Sequence, residues 1–168
     1  MTESYFPAEL IDLARRVVEE NAAIGRKVAV AESCTGGLVA AALTEIPGSS
    51  VVLDRGFVTY SNEAKQELLG VASDIIDTFG AVSIACAWAM AEGALKRSRA
   101  DVAVSISGVA GPAGGSDQKP VGTVVFARAV RDPGDPEAGD AEERLFPDTG
   151  RSGVRLQAAI CALELLLP

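Results

Sequence analysis

The run KVAVAE, residues 27–32, breaks into Ser33-Cys34-Thr35, turns through Gly36 and Gly37, and resumes as the helical pattern LVAAAL. A short, valine-rich apolar run reads as a buried strand, and the paired glycines mark its turn into a helix. This strand-then-helix order recurs along the chain and commits the fold to helices layered on a sheet. Apolar residues at Leu10, Leu13, Ala14, Val17 and Val18, between Pro7 and Gly25, give an amphipathic helix. The segment VVLDRGFVTYS (51–61) is strand-like. Asn62 is a suitable cap for the helix EAKQELLG, SDIIDTFG forms another short helix, and Ser83 caps IACAWAMAEGALKRS. DVAVSISG and GTVVFARAV are strands with only a glycine-rich loop, VAGPAGGSDQKPV, between them. Such a connection is hairpin-like, so the sheet is mixed rather than wholly parallel. RDPGDPEAGDAEE is an acidic, solvated hairpin or loop, ERLFP a last edge strand, and RSGVRLQAAICALELLL the closing helix. The expected architecture is a three-layer α/β/α sandwich with a mixed central sheet, one domain over residues 1–168.

Composition narrows the partners. With 48% hydrophobic residues, the 168-residue chain has material for one core. A net charge of −8, with no cluster of Lys and Arg, argues against a nucleic-acid surface. No apolar run approaches a membrane span, and MTESYFPAEL lacks the basic and apolar regions of a signal peptide. Three widely spaced cysteines without a CxxC pair read as reduced thiols, which points to a cytoplasmic protein.

The chain contains no histidine, and this decides which chemistries remain. A Ser-His-Asp triad, a Cys-His pair and a histidine-ligated zinc site are excluded within one chain, and neither metal nor cofactor is expected. What remains is a Ser-Lys arrangement helped by tyrosine, or a Cys-Lys-Glu set of Cys34, Lys65 and Glu32. Both suit amide hydrolysis; the serine is favoured, because an isolated cysteine of this kind is usually core packing. At the strand-to-helix turn, unpaired N–H groups near Gly36 and Gly37 suit an anion or an oxyanion. The plainer role is that Ser33 or Thr35 caps the helix. Lys65 falls at the third helical position after an Asn62 cap, where a cation is electrostatically misplaced, and partial burial would push the same way, toward the neutral amine that can act as a base. The alternative is a surface lysine paired with Glu63 or Glu67. Tyr60 at a strand rim suits a proton relay, and Ser49 and Ser50 after Pro47-Gly48 suit a turn. The loop SISGVAGPAGGS, with Gly108, Gly114 and Gly115, offers N–H nests for phosphate, assisted by Lys119. The glycine spacing near residue 36 fits neither a P-loop nor a dinucleotide fingerprint.

Together, AESCTGGLVA, PGSS, RGFVTYSNEAK, GAVS, VSISGVAGPAGGS with KPVGTV, and GRSGVR resemble the CinA C-terminal domain family. The resemblance runs from about Val28 to the final helix. Stand-alone members of that family are nicotinamide mononucleotide (NMN) deamidases. The resemblance therefore implies hydrolysis of the nicotinamide carboxamide to nicotinic acid mononucleotide and ammonia, in pyridine nucleotide recycling. It implies Ser33 as the catalytic serine, Lys65 as its base, and Tyr60 and Ser50 in the same polar network, with either serine a candidate to attack. It also implies that Thr35, Asn62, Ser107 and Arg151 line the pocket. Arg151 makes sense as a guanidinium fork for the ribose phosphate, with Arg155 as the alternative. A homo-oligomer, dimer or larger, is implied too; nothing is implied about the separate amino-terminal domain of longer family members. Two other readings stay open: a non-catalytic pyridine-nucleotide-binding module in competence or DNA-damage responses, and an amidase that uses Cys34.

Overall fold

The computed structural model describes residues 4–132, 134 and 138–168, so part of the acidic segment expected as a turn-rich loop (133 and 135–137) lies outside the described residues. Five strands form one sheet: β1 (Val28–Glu32), β2 (Leu53–Val58), β3 (Val102–Gly108), β4 (Thr123–Val130) and β5 (Asp140–Leu145). Their order is β2-β1-β3-β4-β5. β1 runs parallel to both β2 and β3, while β4 and β5 are added antiparallel, giving the mixed sheet that the hairpin-like connections predict. Helices α1 (Ala8–Ala23), α2 (Leu38–Thr44) and α6 (Gly150–Leu165) cover one face. Helices α3 (Asn62–Leu69), α4 (Ser73–Phe79) and α5 (Ile84–Lys96) cover the other. Among the described residues no helix is long and apolar enough to cross a membrane.

Alternation along each strand gives the two faces different characters. Val28, Val30, Val102, Val104 and Ile106 pack under α1, α2 and α6, whereas Ala29, Ala31 and Ala103 face α5. The small residues let α5 lie close to the sheet. Ser105 and Ser107 donate to the carbonyls of Ala87 (2.6 Å) and Ala81 (2.8 Å), which satisfies two hydroxyls in an otherwise apolar layer. α3 and α5 are in close contact: a Cβ added to Gly93 would stand 2.1 Å from the Leu69 carbonyl oxygen.

Three boundaries differ from the sequence expectation. Residues 49–51 form a 3-10 turn, which confines β2 to Leu53–Val58. Ser61 rather than Asn62 caps α3: its Oγ accepts the Ala64 N–H at 3.0 Å, which makes Lys65 the fourth helical residue. β5 begins at Asp140, ahead of the expected ERLFP, because its backbone already pairs there with Arg128.

The connections around β1 leave in opposite directions. α2 leads to β2 on one side, and α3 to α5 return the chain to β3 on the other. The crevice at the C-terminal ends of these three parallel strands is the switch point at which open α/β sheets hold ligands. Since α3 borders that crevice, its seat on α5 matters. Gly93→Ala is expected to lower the unfolding free energy by about 1–3 kcal/mol. Urea unfolding reads this as a reduced midpoint at unchanged slope; an unchanged midpoint would mean that the helices do not press together here.

Candidate active site

The sheet ladder extends one residue past the end of β1 on both sides. Ser33 N–H donates to the Ile106 carbonyl at 2.9 Å, and Thr59 N–H donates to the Glu32 carbonyl at 2.8 Å. Ser33 is thereby fixed at the rim between β2 and β3. The Glu32 side chain, fully buried, turns away from the cleft toward α2. Its Oε2 accepts from the N–H groups of Gly37 (3.0 Å) and Val39 (3.2 Å), and its Oε1 from Ala40 (2.9 Å). This carboxyl group does the work of a helix cap, which neither Ser33 nor Thr35 performs. To bring α2 back over Glu32 the chain takes φ of 60° at Gly36 and 98° at Gly37, a region that favours glycine.

The turn's N–H groups are therefore largely occupied. Gly37 donates to Glu32, and Gly36 N–H donates to the Ser33 carbonyl at 3.0 Å. The oxyanion role suggested for this pair of glycines is not available to them, and neither lines the cleft. Thr35 is buried under the turn away from the cleft, with its Oγ1 unpartnered among the described residues.

Lys65 is only 1% exposed. Its Nζ lies 3.1 Å from Ser33 Oγ, 2.9 Å from the Thr59 carbonyl and 3.3 Å from the Tyr60 carbonyl. No carboxylate pairs with it among the described residues, so a surface pairing with Glu63 or Glu67 is not its role. Burial pulls its pKa below the ordinary lysine value of 10.5, against smaller opposing influences of Cys86 and Cys34. Sequence reasoning reached the same direction from the helix terminus and from partial burial; in the structure desolvation is the main cause. The Cys34 thiol packs into the core beside α2 and α6 and is pushed up to about 11 by burial. It is a protonated packing group, and Glu32, committed to α2, does not serve it.

Ser33 and Lys65 floor an open cleft of about 300 Å³. Tyr60 and Asn62 form one wall, Ser107 and Gly108 at the end of β3 a second, and the glycine-rich loop with Gly111 and Gly114 a third. Arg151, at the start of α6, ties two walls together: it donates to the Gly111 carbonyl at 2.7 Å and to the Tyr60 hydroxyl at 2.9 Å. The Tyr60 hydroxyl is thus engaged by Arg151, while the Tyr60 carbonyl faces Lys65. Arg155 sits behind the turn instead, its Nε 3.1 Å from the Cys34 carbonyl and its Nη2 3.0 Å from that of Thr35.

Ser50 is not brought to this cluster within the chain. The parallel register pairs Leu53 with Val28 and Val58 with Glu32, so the turn holding Ser50 lies at the opposite end of the sheet. Gly115 does not line the cleft, and Lys119 forms an ion pair with Glu143. Sequence reasoning missed Ala81, Val82 and Val109, which line the cleft with apolar side chains and carry no chemical signature of their own. A larger apolar groove of about 700 Å³ around Phe79, Ile84 and Trp88 offers no nucleophile beside a base.

The CinA C-terminal domain profile matches residues 10–168. The chain belongs to the CinA C-terminal domain family. It is 49% identical to nicotinamide-nucleotide amidohydrolase PncC of Escherichia coli strain K12, over 99% of this chain and 95% of that protein. Identity to PncC of Enterobacter agglomerans is 52%, over 89% of this chain and 90% of the relative. A CinA-like protein of Mycolicibacterium paratuberculosis is 51% identical across 84% of this chain, which spans 32% of that longer protein. The fold is similar to that of competence/damage inducible protein CihA from Agrobacterium tumefaciens, with a TM-score of 0.93 at 50% identity, covering 98% and 97% of the two chains.

In this CinA-family chain the buried amine links stability to pH with a definite sign. Folding lowers the Lys65 pKa, so between the folded value and 10.5 the unfolded chain binds more protons, and stability from this residue rises with pH. Lys65→Met abolishes that titration. Wild type is expected to gain unfolding free energy relative to Lys65→Met between neutral pH and about pH 10. Urea unfolding of both proteins checks it, and a pH-independent difference would show that the amine is not desolvated.

Proposed function

We propose that this chain is an amidohydrolase that converts NMN to nicotinic acid mononucleotide and ammonia, with Ser33 as nucleophile and Lys65 as base. The observation that carries the reading is the buried Lys65 Nζ, 3.1 Å from Ser33 Oγ on the floor of an open cleft. The substrate is supported by two relatives, matched over nearly their full length, that bear the name nicotinamide-nucleotide amidohydrolase.

As a neutral amine, Lys65 directs two N–H bonds at the Thr59 and Tyr60 carbonyls and leaves its lone pair for the Ser33 hydroxyl. Ser33 Oγ passes its proton to Lys65 and attacks the carboxamide carbon. The oxyanion falls to the N–H of Cys34, a residue that lines the cleft next to Ser33; this N–H meets no oxygen among the described residues and otherwise lies only against its own thiol. The C–N bond breaks as Lys65 returns the proton to nitrogen, so ammonia leaves and an ester remains on Ser33. Water then attacks the ester, Lys65 takes its proton and hands it to Ser33 Oγ, and the acid is released. Asn62, Ser107, Gly108 and Gly114 contact the nucleotide. Arg151 takes the ribose phosphate as a fork, held ready by the Tyr60 hydroxyl. Thr35 acts through its carbonyl, and Ser50 takes no part within one chain. The protein works in this reading as one domain, in a cytoplasmic homo-oligomer engaged in pyridine nucleotide recycling.

Incubation with NMN and measurement of released ammonia tests the proposal. Ser33→Ala and Lys65→Met are each expected to reduce kcat by at least about a thousandfold while thermal unfolding stays cooperative. In wild type, kcat/KM is expected to rise with pH as Lys65 loses its proton, with a midpoint below 10.5. NMN binding seen by calorimetry without ammonia release would replace the hydrolase with the binding module.

A further inference from the structure

Arg155 does not line the cleft and touches neither Ser33 Oγ nor Lys65, yet its guanidinium grips two successive carbonyls of the nucleophile turn. We propose that Arg155 is a positioning residue that strengthens the Cys34 N–H as an oxyanion donor through a relay of two peptide groups. The proposal rests on the reading of Ser33 as nucleophile.

The relay can be followed bond by bond. Arg155 Nη2 donates to the Thr35 carbonyl at 3.0 Å. The same peptide group carries the Gly36 N–H, which donates to the Ser33 carbonyl at 3.0 Å. The peptide group of that carbonyl ends in the Cys34 N–H. A cation on the first carbonyl draws electron density along each peptide in turn, and hydrogen bonds arranged in series reinforce one another. The last N–H in the series becomes the stronger donor.

Geometry works in the same direction. A trans peptide holds its N–H opposite its C=O, so turning the Ser33 carbonyl inward to Gly36 turns the Cys34 N–H out of the turn. The Arg155 Nε on the Cys34 carbonyl, at 3.1 Å, keeps the next peptide from flipping. Thr35 does not line the cleft, so its N–H is not the donor. Glu32 meanwhile holds Gly37, Val39 and Ala40. An anion thus anchors the N–H side of the turn and a cation the C=O side, and neither enters the cleft. Only a fork-shaped donor spans both carbonyls, which explains arginine here.

The test compares Arg155→Met, Arg155→Lys and Arg155→Gln with wild type by two readouts. One is ammonia release from NMN. The other is the rate at which a fluorophosphonate labels Ser33, followed by intact mass: Ser33 Oγ bonds to phosphorus, fluoride leaves, and Lys65 takes the hydroxyl proton. Arg155→Met is expected to slow both kcat and labelling by about tenfold or more, with KM unchanged. Arg155→Lys, which keeps the charge but not the fork, recovers part of the loss; Arg155→Gln, which keeps only a neutral donor, recovers less. Should Arg155→Met fail to fold, the order of the Lys and Gln variants decides. Equal rates for Gln and Lys, undiminished labelling in both, or a raised KM at unchanged kcat would overturn the relay, as would a wild-type Ser33 that resists labelling. Labelling of wild type without ammonia from NMN would dismiss the substrate alone and leave the relay to be judged by labelling rates.

Discussion

A primary amine kept out of water is the constraint on which the rest of this structure depends. An unpaired buried ammonium is costly, and burial shifts a lysine so placed toward its neutral form. Lys65 then needs acceptors for its hydrogens, and the end of β2 supplies them. The ladder to β1 continues there through the Thr59 N–H, while the Thr59 and Tyr60 carbonyls turn to the amine. α3 must start at once if Lys65 is to fold back over these carbonyls, and the Ser61 cap starts it. The absence of a side chain at Gly93 lets Leu69, at the far end of α3, seat the helix against α5. Cap, strand end and glycine contact serve one amine.

The turn that carries Ser33 shows how a chain without histidine uses its remaining charges. Glu32 and Arg155 flank the turn without lining the cleft, and each is bound to backbone. They set the direction of peptide dipoles, and in the proposed reaction proton transfer is left to Lys65. Charge that is fixed beforehand requires no reorganisation when an oxyanion forms, which is the condition under which such stabilisation is largest.

Much of this was legible from residues alone. The valine runs and their glycine turns specify strands that feed helices, and the lone loop between DVAVSISG and GTVVFARAV specifies the antiparallel half of the sheet. Absence of histidine left lysine as the candidate base, helix position and resemblance pointed to Lys65, and its amine does lie beside Ser33. What was not legible depended on tertiary choices. Ser61 and Asn62 are adjacent and both good caps, so only the packing of α3 selects between them. Whether glycine N–H groups are free depends on where Glu32 turns its side chain. Ser50 adjoins a strand that ends in the cleft, but the parallel register puts its own turn at the far end. Arg151 and Arg155 share one face of α6, one turn apart; that turn separates a cleft wall from the underside of the Ser33 turn.

The charge of the cleft completes the account. Its ionisable walls among the described residues are Lys65, Arg151, Tyr60 and Cys34, with no carboxylate. In the proposed reaction a cationic pyridinium ring enters a site without a countercharge on its floor. A protonated Lys65 would repel that ring, so the burial that favours the neutral amine also works against a like charge in the ring's path. The net charge of −8 acts only from outside, on approach. Hydrolysis then creates a carboxylate beside the amine, and an adjacent anion favours the ammonium form against the pull of burial. Departure of the product withdraws that anion, and desolvation again shifts the amine toward its neutral form.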